Sequence, residues 1–239
     1  MGEKKRRLAA MSKTTPPGAK MVRVSEYLMV PAHLESDYWE GLEQLTREAL
    51  NFQGEAPNPA EFTKRAAAIH EAAHCVVAAR EGRTLAKAEI REQSGGWVGA
   101  FHTAGGGTWL DLLDRNSIAP QLRIVLAGRR GELLLAPKFY VYAGLNELVW
   151  CQLAILGIVA VAGGMNHYPT IWGSVLSETD ATLREHKDAV LAIADELERH
   201  GSIGQEWLAD ALVSIPIRTE EPPLLEESEQ HVQPGDPLI

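Results

Sequence analysis

Between Ala66 and Arg80 the chain reads AAAIHEAAHCVVAAR, and the order His70, Glu71, two alanines, His74 restricts what it can fold into. Residues four apart on an α-helix lie one above the other, so both imidazoles leave one face and can share a metal ion. Glu71 lies about 100° further round, near enough to reach a water held by that ion but outside its ligands. The residue types suit the chemistry. Neutral imidazole nitrogens bind zinc, and a carboxylate can take a proton from water that zinc has acidified to a pKa of roughly 7. Chance alone produces such a match in a chain of this length on the order of a few per cent of the time.

The flanking sequence agrees with a helix. Asn58, Pro59 and Glu61 read as an N-cap, a first-turn proline and a capping-box carboxylate, and Gly82 as the stop. Ile69, Ala73, Val76 and Val77 form an apolar stripe at helical spacing. The expectation is a helix with one buried flank and its histidine pair facing a cleft.

At 239 residues and 45% hydrophobic content the chain can bury one sizeable core, with tails. A net charge of −9 argues against nucleic acid as a partner, since a duplex binder needs a net basic face. Basic residues crowd the first 23 positions and acidic ones the last 20, which reads as two solvated tails. Two cysteines, Cys75 and Cys151, both in apolar helical runs, are too few for a disulfide scaffold and point to a reducing compartment. No secretory signal is visible, and the apolar run Leu153 to Gly163 is too short to span a bilayer. The expected location is cytoplasmic, with no membrane span.

Taken in order, residues 1–22 read as a disordered basic arm and residues 23–57 as an N-terminal extension. Within the extension, Val22 to Val30 is one strand-like run, Tyr38 to Leu50 a helix, and Asn51 to Asn58 a loop. After the motif helix, Leu85 to Thr103 alternates in two pieces about Ser94-Gly95-Gly96, the pattern of a β-hairpin. Its edge could hold an extended peptide by main-chain hydrogen bonds, or simply cover the motif helix. Gly105 to Gly107 lacks the Lys-Ser/Thr of a phosphate loop and reads as a mobile connection; whether Gly105 to Leu110 acts as a lid is left open by the sequence. Helices are expected over Ser117 to Leu135, with Pro120 in the first turn, and over Gly144 to Gly163, with Asn146 as cap and Glu147 in the first turn. A further amphipathic helix is expected over Ser177 to His200, its stripe made by Leu183, Val190, Leu191, Ala194 and Leu197, and a last one over Gln205 to Val213. Residues 215–239 read as a disordered acidic tail.

Five stretches together resemble the zinc peptidase domain of the FtsH-type ATP-dependent proteases: HEAAHCVVA from His70, LAGRRGELL from Leu126, GLNEL from Gly144, GGMN from Gly163 and LREHKDAVLAIADEL from Leu183. The resemblance covers residues 58–214. It implies a mainly α (α+β), zincin-like helical domain with a small β-hairpin. It also implies His70, His74 and Glu147 as zinc ligands and Glu71 as the catalytic base; helical period alone does not select Glu147. Ala73 stands where the family has glycine, and Glu147 where it has aspartate. Either thiol could lie near the metal, although buried structural cysteines are the commoner case.

The activity so implied is zinc-dependent hydrolysis of peptide bonds in peptides or unfolded proteins. The family carries a membrane anchor and an ATPase module ahead of this domain, whereas fewer than 60 residues and no phosphate loop precede it here. A separate ATPase partner and a homo-oligomer therefore stand as open expectations. The alternative from another class is a non-catalytic, FtsH-like zinc-binding or interaction module.

Overall fold

The computed structural model describes residues 20–24, 28–104, 115–162 and 165–219. The basic arm before residue 20, the glycine run at 105–107 with the stretch to Leu110, and the tail from residue 220 lie outside the described residues. The chain is mainly α with a small β component in two sheets. Among the described residues no helix is long and apolar enough to cross a membrane.

The run from Val22 to Val30 is two strands rather than one: β1 (Met21–Arg23) pairs antiparallel with β2 (Met29–Pro31). Helix α1 (Glu35–Gln53) takes in Asn51 to Gln53, which had read as loop, and stops at Gly54. The motif helix α2 runs from Lys64 to Arg80, and its start corrects the sequence reading. The Asn58 side chain accepts from Ala60 N–H at 3.2 Å, but it caps a separate short turn, Pro59–Glu61. Phe62 then adopts extended backbone and Thr63 begins again, its hydroxyl accepting from Ala66 N–H at 3.1 Å. Glu61 pairs with Lys138 at 2.8 Å instead of closing a capping box.

Every residue of α2 from Ala66 to Ala78 is buried, so the single apolar stripe is also corrected. Six alanines in that span keep the helix thin, and neighbours close on it from all sides. Strands β3 (Leu85–Gln93) and β4 (Gly96–Thr103) form the expected hairpin. Its two-residue turn, Ser94 at φ 53° and Gly95 at φ 82°, has the left-handed pair that matches strand twist.

Helix α3 (Arg115–Leu135) begins before Ser117, so Pro120 sits in its interior rather than its first turn. Helix α4 (Leu145–Ala162) is started by Gly144, whose carbonyl accepts from Leu148 N–H at 3.0 Å; Asn146 lies inside the helix and does not cap it. The expected helix from Ser177 to His200 is two, α5 (Tyr168–Glu185) and α6 (Lys187–His200), bent at His186. Ile193 joins Val190, Ala194 and Leu197 in the buried stripe of α6, while Leu191 is half-buried. Strand β5 (Ser202–Gly204) pairs with the far side of β3, giving the order β4-β3-β5, and α7 (Gln205–Leu212) follows.

Two apolar cores result. One gathers α2, the three-stranded sheet, α6 and α7, with Ile69, Val76, Leu183, Leu197 and Leu208 at its centre. The other gathers Val24, Leu28, β2, α1, α4 and the first half of α5 around Tyr38, Leu122, Trp150 and Ile155, while the end of α5 gives Leu183 to the first. Each fully buried side chain of this size contributes roughly 1.5–3 kcal/mol. Helix α3 serves both, giving Ile124 and Ala127 to the first and Ile118, Leu122 and Leu126 to the second. The extension before residue 58 is thus part of the second core, and Trp150 Nε1–H donates to Met29 O at 3.1 Å. Two residues past 214 are also tied to the body of the fold: Ile215 is buried, and Arg218 N–H donates to Arg80 O at 2.7 Å.

Candidate metal centre

The seam between the two cores is where α2, α3 and α4 meet. His70 and His74 project into it from α2 and Glu147 from the first turn of α4, and one ligand atom from each lies within 4.8 Å of the others. Glu147 Oε1 is 3.2 Å from His70 Nε2 and 3.3 Å from His74 Nε2. Two ligands about 2.0–2.1 Å from a tetrahedral ion are about 3.3–3.4 Å apart, so these separations suit a shared cation.

Both rings are held from behind. His74 Nδ1–H donates to the Ile124 carbonyl at 2.6 Å, and His70 Nδ1–H donates to the Glu132 carboxylate at 2.6 Å. A carbonyl can only accept, so His74 carries its proton on Nδ1 and turns the Nε2 lone pair to the seam. Glu132 does the same for His70, the arrangement that fixes metal-ligating imidazoles. Phe101 stacks on His74 with ring centres 4.8 Å apart, and Phe62 meets His70 edge-on.

Space for an ion is made by a glycine. A Cβ on Gly128 would fall 2.2 Å from His70 Nε2 and 2.5 Å from His74 Nε2, in the volume the two nitrogens face. Gly144, at φ +64°, takes a backbone conformation that favours glycine, and a Cβ there would come 3.0 Å from Glu147 Oε2. Arg129 fastens the approach to Gly144 by donating from Nη1 to the carbonyls of Val141 and Ala143. One turn along α3, a Cβ on Gly131 would lie 2.4 Å from the Ala73 methyl. The alanine at position 73 is therefore accommodated by a glycine opposite it.

Glu71 is buried beside the trio, and strand β4 passes directly over it: a Cβ on Gly99 would lie 2.4 Å from Glu71 Cγ and 2.6 Å from its Oε1. Burial pushes the Glu71 carboxyl up to about 7, against the pull of His70 and His74. Burial alone would raise Glu147 as well, but the two imidazoles hold it well below the usual carboxylate range. His70 is lowered by burial and lifted further by Glu147 and Glu132, ending well above its ordinary value. The Oε2 atoms of Glu132 and Glu147 are both buried and without a hydrogen-bond partner among the described residues. Three carboxylates around two imidazoles, one orphaned ligand oxygen and a methyl-sized space between the ring nitrogens fit a divalent cation.

Cys75 and Cys151 are free and buried, and burial pushes both thiols up. Neither belongs to the ligand trio. Sequence reading named His70, Glu71, His74 and Glu147 but missed Glu132, Gly128 and Gly99. A signal for two of them was present in LAGRRGELL. Glycine costs about 1 kcal/mol relative to alanine inside a helix, so Gly128 and Gly131 one turn apart imply a close approach, and Glu132 shares the face of Gly128. Compared with known proteins, the chain matches no family model and no curated sequence.

Proposed function

We propose that the chain is a zinc metallopeptidase of the FtsH peptidase type, hydrolysing peptide bonds in unfolded proteins or peptides. One observation carries the reading: a buried carboxylate, Glu71, adjoins a trio of His70, His74 and Glu147 whose donor atoms converge on a space kept clear by Gly128. When bound there, zinc would supply Lewis acidity toward a carbonyl and toward water.

The remaining work falls to the chain. His70, His74 and Glu147 hold the cation, and Glu132 and the Ile124 carbonyl keep the rings turned toward it. Glu71 takes the proton of the attacking water and returns it to the leaving amine, a double role suited to a carboxyl whose buried site makes it a stronger base. Phe101 and Phe62 exclude bulk water on the flanks of the two rings.

Strand β4 is the sheet edge nearest Glu71. Trp97 N–H points away from β3 and donates to Phe62 O at 3.0 Å. By the two-residue period of a strand, the amides of Gly99 and Phe101 face the same way, past the point where Phe62 closes the edge. A substrate laid along that edge must be extended, so the expected substrates are flexible chains rather than folded ones.

With zinc saturated and no ATP present, the protein should cleave casein. Glu71→Gln should keep stoichiometric zinc and lose turnover by about 10²–10⁴-fold. Casein left intact by zinc-loaded protein, or turnover that survives Glu71→Gln, overturns the enzyme reading.

A further inference from the structure

Helix α1 lies outside the stretch that resembles the peptidase family, yet it packs on α4 close to the metal ligand that α4 provides. The crossing is tight: a Cβ on Gly41 of α1 would stand 3.1 Å from Val149 Cγ1. Gly41 is one turn after Tyr38, and Val149 is two residues after Glu147. Tyr38 is fully buried in the core it shares with Val149 and Trp150.

Its hydroxyl has no hydrogen-bond partner among the described residues, and neither does Glu147 Oε2. An unmet buried hydroxyl is costly and an unmet carboxylate oxygen more so, which makes two at one helix crossing call for an account. Tyr38 stands one turn before the α1 residue in that contact and Glu147 two residues before the α4 one, so a buried donor and a buried acceptor, each without a partner among the described residues, flank the same crossing.

We propose that Tyr38 is a positioning residue for Glu147: when Oε1 is drawn onto the cation, the phenol O–H donates to Oε2, directly or through one bridging water. A donor on Oε2 would orient the carboxylate so that Oε1 faces the cation, the way an outer hydrogen bond steadies a metal-binding carboxylate. The N-terminal extension thereby becomes part of the metal centre. The inference rests on the reading of His70, His74 and Glu147 as ligands.

The test is zinc affinity, measured by competition with a chromophoric chelator, for wild type, Tyr38→Phe and Cys151→Ala. Tyr38→Phe should bind zinc at least about tenfold more weakly, while its zinc-free form is as stable as wild type or more so, having lost an orphan hydroxyl. Cys151→Ala, which changes another buried group near Glu147, should leave the affinity unchanged. In the wild-type protein the Tyr38 phenolic carbon resonance should shift on zinc addition. This second measurement does not depend on how well the variant folds.

Equal zinc affinity in Tyr38→Phe, or a tyrosine resonance that ignores zinc, overturns the role of Tyr38 and leaves the metal site standing. Wild-type protein that binds no zinc overturns both.

Discussion

Two groups of buried charge lie along helix α2, one at its C-terminal end and one at its middle, and they are built on opposite principles. At its C-terminal end, Arg123 is 1% exposed and clasps Glu81 through Nε at 2.8 Å and Nη2 at 2.9 Å. Its Nη1 meets Glu178 at 2.9 Å, and Arg218 reaches Glu81 at 3.1 Å and Glu178 at 3.3 Å. Two guanidiniums face two carboxylates, and the cluster is closed. At its middle, Glu71, Glu132 and Glu147 surround two imidazoles, two carboxylate oxygens have no partner among the described residues, and the nearby Arg129 donates to backbone carbonyls instead. A buried ion group is tolerated when its charges are matched and its donors used, so the first cluster is complete in itself and the second is short of positive charge. The contrast marks the second as the place where a cation belongs.

That contrast can be broken by experiment. Removing a charge from the balanced cluster with Arg123→Met leaves Arg218 alone between two carboxylates, one of them the buried Glu81 side chain, and should destabilise the fold by about 3–5 kcal/mol in urea unfolding, with zinc stoichiometry intact. A loss under 1 kcal/mol would mean that this cluster is not closed after all. Adding charge to the unbalanced cluster should do the reverse. Zinc at a hundredfold excess over its Kd should stabilise the wild-type protein by about 2.7 kcal/mol, and should give no stabilisation to Gly128→Ala, whose methyl fills the space between the ring nitrogens. Equal stabilisation of both proteins would put the cation elsewhere. Smallest is Glu132→Gln, which keeps the shape but weakens the hold on His70; zinc affinity should fall about 10–100-fold, or about 1.4–2.7 kcal/mol, read by chelator competition.

Much of this was legible in the sequence, for reasons that differ by element. Helix α2, the hairpin and the small-β, mainly helical class follow from periodicity and from turn residues whose geometry is local. Glu147 was reached only through the resemblance, because nothing local distinguishes a ligand carboxylate from one placed by the helix dipole. The false capping box failed because Asn58 and Pro59 satisfy a turn of their own before Thr63 takes over. The bend at His186 escaped because the hydrogen bonds run on through it, His186 N–H to Thr182 O and Val190 N–H to His186 O, and the apolar period is undisturbed. Gly99, Gly128 and Glu132 matter through what lies across from them, which depends on how helices and sheet assemble and leaves no periodic trace.

The clasp that closes the lower end of α2 has a consequence for assembly. Arg218 stands 137 positions beyond the glutamate it grips, and such a long loop is among the slowest contacts for a chain to gain. While the polypeptide is still being made, the helix bearing the histidines waits unlatched until residue 218 arrives, so its C-terminal end is secured late in the order of the sequence.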